Sequence, residues 1–142
     1  MISTILVTDD NVLDNAILRN FLYKEHVNIL SALNGREALD LVESRNVDII
    51  ILDMVMPVLD GYGFLEEFSK TPYYKEIPVI VASGVDNHQL EKVYNYDIYD
   101  FILKPLNMTN KFLLINKIRK ALQFRKMLVE LKKRNVDIGD IK

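Results

Sequence analysis

The sequence predicts an open, all-parallel α/β sheet covered by helices on both faces. Five short apolar runs rich in β-branched residues recur along the chain, a helix-like segment follows each, and the runs lack the alternation of a strand with one wet face. Strands buried on both sides read this way, and regular strand–helix succession argues for parallel strands joined by right-handed crossovers.

The runs are TILV (4–7), VNIL (27–30), VDIIIL (47–52), PVIVAS (78–83) and YDFIL (99–103). After the first, Asp9-Asp10-Asn11 offers a helix N-cap, and Leu13, Ala16, Ile17 and Phe21 mark an inward face. The turn signal Asn34-Gly35 opens a second helix with Ala38, Leu41 and Val42 as its core side chains. Asp60-Gly61 reads as turn chemistry leading into a third, carried by Phe64, Leu65 and Phe68. A weaker fourth helix is expected from near Asp86, with Leu90 and Val93 inward. From Asn107 a single long segment places Phe112, Ile115, Ile118, Leu122, Phe124, Leu128 and Leu131 at spacings of three and four with one skip. That stripe outruns the roughly 11–12 residues of an average helix, and it breaks at VDIGDIK (136–142).

At 142 residues the chain makes one domain, able to bury about two-thirds of the surface that its unfolded form exposes. It has no cysteine, which excludes disulfides and thiolate metal sites and fits a reducing, cytoplasmic setting. Neither a leader pattern nor an apolar run of ~20 residues is present, so a soluble protein is expected. Residues 1–105 carry 17 acidic and 8 basic side chains and residues 106–142 carry 3 and 10, so the net charge of −2 divides into −9 and +7. An acidic body with a basic tail follows.

Ligands of such sheets bind beyond the carboxyl ends of the strands. There the chain places Asp9 and Asp10 after the first strand, Asp53 after the third, Ser83 after the fourth, and Lys104 with Pro105 after the fifth. Clustered carboxylates raise one another's pKa unless a cation neutralises them, and all-oxygen ligation suits Mg²⁺ or Mn²⁺. A carboxylate can also attack phosphorus and form an aspartyl phosphate when a metal and a fixed cation offset the charge on the transferring group. Lys104 could supply that cation and Ser83 a hydrogen bond to a phosphoryl oxygen.

With ILVTDDN, DMVMPVLDG, VIVASG and FILKP in this order, thirty residues from Asp53 to Ser83 and twenty-one from Ser83 to Lys104, the stretch from about Ile5 to Leu122 resembles the receiver domain of two-component response regulators, the CheY-like family. The resemblance implies a flavodoxin-like, doubly wound sheet of order 2-1-3-4-5, with a receiver domain over 1–122. Residues 123–142 then extend the last helix as a linker toward an output domain or as a dimerisation helix.

The resemblance further implies a phosphorylation-dependent signalling switch that accepts its phosphoryl group from a histidine kinase or phosphotransfer protein. Asp53 would be the acceptor. Asp10, Asp53 and the backbone carbonyl of Val55 would ligate Mg²⁺, with Asp9 helping through a water. Ser83 and Lys104 would hold the phosphoryl group, and Phe101 would turn inward as Ser83 moves. The Lys104–Pro105 peptide would be cis. The face formed by the fourth helix, fifth strand and last helix would pass the change to an output domain, a partner or a second copy. Such a protein is not an enzyme beyond catalysing its own phosphorylation and dephosphorylation.

Two departures from the family pattern stand out. Val55 is apolar where many relatives carry a polar residue. NYDIYD (95–100) replaces the usual Gly-Ala before the fifth strand, so Asp97 is expected in the left-handed conformation, beside a tyrosine cluster (Tyr94, Tyr96, Tyr99) that could form a docking patch.

The basic tail has three readings: a coiled-coil-like dimerising linker, favoured here, packing on its own body, or nucleic-acid binding, which lacks a helix-turn-helix signature. An aspartyl-phosphate phosphatase would want an acid where Val55 stands, and a flavin module would not place Asp9-Asp10 against phosphate. The alternatives within the fold are a freestanding phosphorelay intermediate and an unphosphorylated scaffold acting only as a binding module.

Overall fold

In the computed structural model, which describes residues 2–84 and 91–139, five parallel strands form one sheet of order β2-β1-β3-β4-β5. The strands are β1 (Thr4–Thr8), β2 (Asn28–Ala32), β3 (Ile49–Leu52), β4 (Val79–Ser83) and β5 (Asp100–Leu103). Every ladder is parallel: Val7, for example, lies between Ser31 of β2 and Ile51 of β3. The central strands β3 and β4 are buried at every residue, as unalternating apolar runs require.

Alternate residues of each strand feed two cores. Leu6, Ile50, Leu52, Val79 and Val81 face helices α2 (Gly35–Ser44) and α3 (Gly61–Phe68), meeting Val42, Phe64 and Phe68. Ile5, Val7, Ile49, Ile51 and Ile80 face α1 (Val12–Leu22) and α5 (Met108–Lys133), meeting Leu18, Leu22, Leu114 and Ile118. Residues 91–93, the described part of α4, are helical, and Val93 is buried in the first core. The expected helix start at Asp86 and the core role of Leu90 lie outside the described residues. A 3₁₀ turn, Pro72–Lys75, leads into β4.

The helix starts follow their caps. Asn11 accepts the Asp14 N–H, Asn34 that of Glu37, and Asp60 that of Gly63; each satisfies a donor that the first turn leaves free. Asn107 and Asn110 form a reciprocal capping box on α5. Among the described residues no helix is long and apolar enough to cross a membrane.

Three expectations are corrected. First, the inward face of α1 is Leu18, Phe21 and Leu22 with Ile17 half-buried, whereas Leu13 and Ala16 are exposed. The buried apolar spacing of three and four starts at Leu18, and the apolar residues of the first turn, Val12 and Leu13, stay exposed. Second, Asp97 does not take a left-handed conformation; the described non-glycine residues with positive φ are His26, Val58 and Asn135. The Asp97 N–H is instead held by the Tyr74 hydroxyl, which fixes the turn without a glycine-like backbone. Third, the three tyrosines differ in partner and exposure. Tyr94 is exposed, Tyr96 donates to Glu66, and Tyr99 packs on the Phe124 ring.

Residues 123–139 lie against the chain's own body at the amino ends of the strands. Leu128 is fully buried and Ile138 nearly so. Arg125 donates to the Glu76 carbonyl at 2.7 Å and stands 3.5 Å from the Asp48 carboxylate, and Lys132 pairs with Glu76. From Ile115 to Leu128 the apolar stripe faces inward, while Phe112 at its start is 71% exposed.

Candidate functional site

Hydrogen-bonded ladders carry β1, β3 and β4 to a common edge, where Asp9 and Asp53 directly follow β1 and β3 and Ser83 ends β4. The Asp9 N–H reaches the Ala32 carbonyl, and the Asp53 N–H reaches the Thr8 carbonyl. Asp53 therefore follows four buried aliphatic residues on a strand paired on both sides, which fixes its backbone where a side chain alone would swing. The return of the chain needs Gly61: its N–H meets the Met54 carbonyl, and a Cβ there would stand 2.6 Å from the Met54 Cα and 2.7 Å from the Asp53 carbonyl oxygen. The loop between carries a strained residue, exposed Val58 at φ 66°, a region that β-branched side chains rarely occupy.

Around Asp53 the residues singled out by the sequence converge. One carboxylate oxygen from each of Asp9, Asp10 and Asp53 lies within 4.8 Å of the others, with Asp9 and Asp53 buried and Asp10 exposed. Ser83, fully buried, donates its hydroxyl to Asp53 Oδ1 at 2.8 Å. The Lys104 Nζ stands 2.6 Å from Asp9 Oδ2 and 3.4 Å from Asp53 Oδ2. The Lys104–Pro105 bond is cis, as the resemblance implies. Phe101 is half-buried on β5, opposite Val81, and packs with the α2–α3 core.

A fourth carboxylate binds the same ammonium from outside the three-carboxylate cluster. Asp14, in the first turn of α1, accepts from Lys104 Nζ at 2.7 Å. Asp14 precedes Leu18 by four and Phe21 by seven, so it shares their face of the helix. Its spacing of three and seven from Ile17 and Phe21, both expected inward, was the signal that could have found it.

The charges are coupled. Burial pushes the Asp9 carboxyl above the usual aspartate range, against the opposing pull of hydrogen bonds from Lys104 and the Asn11 N–H. Burial alone would lower Lys104, but hydrogen bonds to Asp14 and Asp9 and the charge of Asp53 outweigh it and hold the ammonium well above its ordinary value. Lys104 is thus a permanent cation.

The three-carboxylate edge fits a hard divalent cation. Mg²⁺ takes oxygens at about 2.1 Å, so opposite ligands stand about 4.2 Å apart, close to the separations of up to 4.8 Å between these carboxylate oxygens. Exposed Asp10 leaves one side open for water.

Comparison with known proteins agrees with this geometry. The model of the response regulator receiver domain family matches residues 5–119. A protein of Porphyra purpurea named "Probable transcriptional regulator ycf29" is 38% identical over 136 residues, covering 93% of this chain and 62% of its own. Response regulator GtcR of Aneurinibacillus migulanus is 33% identical over 127 residues, covering 87% and 51%. The chain therefore spans less than two-thirds of the length of these curated relatives. Among solved structures, the signal receiver domain of an HD domain-containing protein from Pseudomonas fluorescens Pf-5 superposes with a TM-score of 0.80 at 25% identity, covering 89% of this chain and 99% of that one.

Proposed function

The chain belongs to the response regulator receiver family, and from that premise we propose that it is a cytoplasmic, phosphorylation-dependent switch whose acceptor is Asp53. The observation that carries this reading is the meeting at one sheet edge of a rigidly held carboxylate, two further carboxylates, a buried hydroxyl and a permanent ammonium.

Asp9, Asp10 and Asp53, joined by the Val55 carbonyl, would hold Mg²⁺, or Mn²⁺ in its place. When bound, the cation offsets the negative charge that builds on the phosphoryl group. An Asp53 carboxylate oxygen attacks phosphorus in line; the new O–P bond forms as the P–N bond to the donor imidazole breaks, and the bond's electron pair leaves with that nitrogen. Ser83 gives up its bond to Asp53 and donates to a phosphoryl oxygen, while Lys104 supplies a second, fixed positive charge. Movement of Ser83 along β4 gives Phe101 on the neighbouring strand room to turn inward.

The donor is a histidine kinase or phosphotransfer protein. Supporting a protein donor, Val12, Leu13, Val55, Val58 and Met108 are exposed on the segments flanking the acidic edge, and apolar side chains around a charged centre suit a docking rim. The signal leaves through α4, β5 and α5 toward an output domain or partner, and a second copy could meet the same face. Chemistry beyond the chain's own acyl phosphate is assigned to other domains.

Intact-mass spectrometry after incubation with Mg²⁺ and acetyl phosphate tests the reading. The native chain gains one phosphoryl group, about 80 Da, only with Mg²⁺, and Asp53→Asn gains none. A native chain left unmodified by acetyl phosphate and by a reactive histidine kinase refutes the switch.

A further inference from the structure

Lys104 faces the wrong way for its task. Its two short, charge-assisted contacts go to Asp9 Oδ2 at 2.6 Å and Asp14 Oδ2 at 2.7 Å, whereas Asp53 Oδ2 lies at 3.4 Å. Ammonium–carboxylate hydrogen bonds are optimal at about 2.7–2.9 Å, so the first two are full bonds and the third is a weaker ion pair. The Lys104 side chain is 13% exposed and those of Asp9 and Asp14 are 9% and 21% exposed, which leaves little water to take over a released partner.

The two partners differ in what happens to them during the reaction. Asp9 shares the cation cluster with Asp10 and Asp53, so a divalent ion withdraws its charge and loosens its hold on the ammonium. Asp14 stands outside that cluster, anchored on α1 by the Asn11 cap. Its charge remains fully available to Lys104 after the metal has bound.

We propose that Asp14 is a positioning residue that latches Lys104 against α1 and competes with the phosphoryl group for it, so that phosphoryl uptake requires the Asp14–Lys104 pair to open. This inference rests on the reading of Asp53 as acceptor and concerns the regulation of that site. The latch lowers the rate of uptake and, by drawing the ammonium away from the phosphoryl oxygens, weakens its grip on the product. Asp14→Asn keeps the shape and leaves a neutral acceptor. Because charged hydrogen bonds are roughly twice as strong as neutral ones, uptake should quicken by about three- to tenfold. Asp14→Glu restores the charge and should return the rate toward that of the native chain.

Two measurements on the full chain decide it. In the first, the rate of phosphorylation by acetyl phosphate with Mg²⁺ is followed by intact mass for the native chain, Asp14→Asn and Asp14→Glu, with thermal melts establishing that each is folded. Faster uptake in Asp14→Asn alone supports the latch; equal or slower uptake in a folded Asp14→Asn overturns it. The second needs no phosphorylation: the Lys104 ammonium is observed by ¹⁵N-edited NMR with saturating Mg²⁺. A latched ammonium stays in slow hydrogen exchange in the native chain and enters fast exchange in Asp14→Asn. If the two behave alike, the latch is overturned whatever the first measurement gives. If the native chain takes up no phosphoryl group at all, the acceptor reading fails, and the ammonium signal still decides whether Asp14 holds Lys104.

Discussion

Thr8 offers a prediction with a definite sign. It closes β1, immediately before Asp9, and is fully buried. Its hydroxyl has no hydrogen-bond partner among the described residues. Its side chain shares the face of Leu6, two residues earlier, which packs into the α2–α3 core. Threonine and valine differ by a hydroxyl against a methyl, so Thr8→Val leaves the β-branched shape and the backbone ladder intact. An unsatisfied buried donor carries a desolvation penalty of about 1–3 kcal/mol, and the added methyl contributes up to ~0.8 kcal/mol of apolar burial. We therefore expect a gain of about 1–3 kcal/mol in unfolding free energy, seen as a higher midpoint with an unchanged slope in urea. At about 2–4 °C per kcal/mol for a domain of this size, the melting temperature rises by roughly 2–12 °C. Thr8→Ser, which keeps the hydroxyl and opens a methyl-sized void, should lose stability. A Thr8→Val chain less stable than the native one would mean that the hydroxyl is bonded and that the reasoning is wrong.

Three further outcomes follow from the same structure. Gly61→Ala forces a Cβ against the backbone of Met54 and Asp53; it should cost about 1–3 kcal/mol in denaturant titration and also slow phosphoryl uptake, because the displaced atoms carry Asp53. Leu128→Ala, which lies beyond the family match but is fully buried, should cost about 2–5 kcal/mol; a projecting linker residue would cost almost nothing in the same melt. The Arg119 hydrogen bond beside Glu25 lowers that carboxyl below its usual value. A lowered folded-state value means that the pair's stabilisation is complete above the unfolded glutamate pKa of about 4.3 and fades as pH falls through the lower folded one. Glu25→Gln should therefore be less stable than the native chain at pH 7, with the difference closing in acid melts.

The sheet and its carboxyl edge were legible because both are written in local pattern. Unalternating β-branched runs name strands buried on both sides, and four of the five runs have at or just beyond their ends a residue that enters the site: Asp9, Asp53, Ser83 and Lys104. Other features depend on how elements sit against one another. Leu13 and Ile17 have helical spacing, but that spacing does not say which turn of α1 is covered, nor that Lys104, ninety residues on, reaches Asp14. A stripe such as Ile115, Ile118 and Leu128 reads the same whether it meets a second copy or its own body, and the chain's own strand ends cover it here. The turn at Asp97 looked glycine-like in sequence because its support, the Tyr74 hydroxyl, comes from a distant 3₁₀ turn.

The central claim is that Asp53 itself carries the phosphoryl group. An aspartyl phosphate is an acyl phosphate, so borohydride reduces it to homoserine, whereas unmodified carboxylates are untouched. The decisive measurement is peptide sequencing by mass spectrometry after phosphorylation with Mg²⁺ present and borohydride trapping. The account predicts homoserine at position 53, dependent on Mg²⁺ and on the phosphoryl donor, with Asp9, Asp10, Asp14 and Asp60 unchanged. Homoserine at any of those other positions, or no homoserine at position 53 in a chain whose mass has risen, would contradict it.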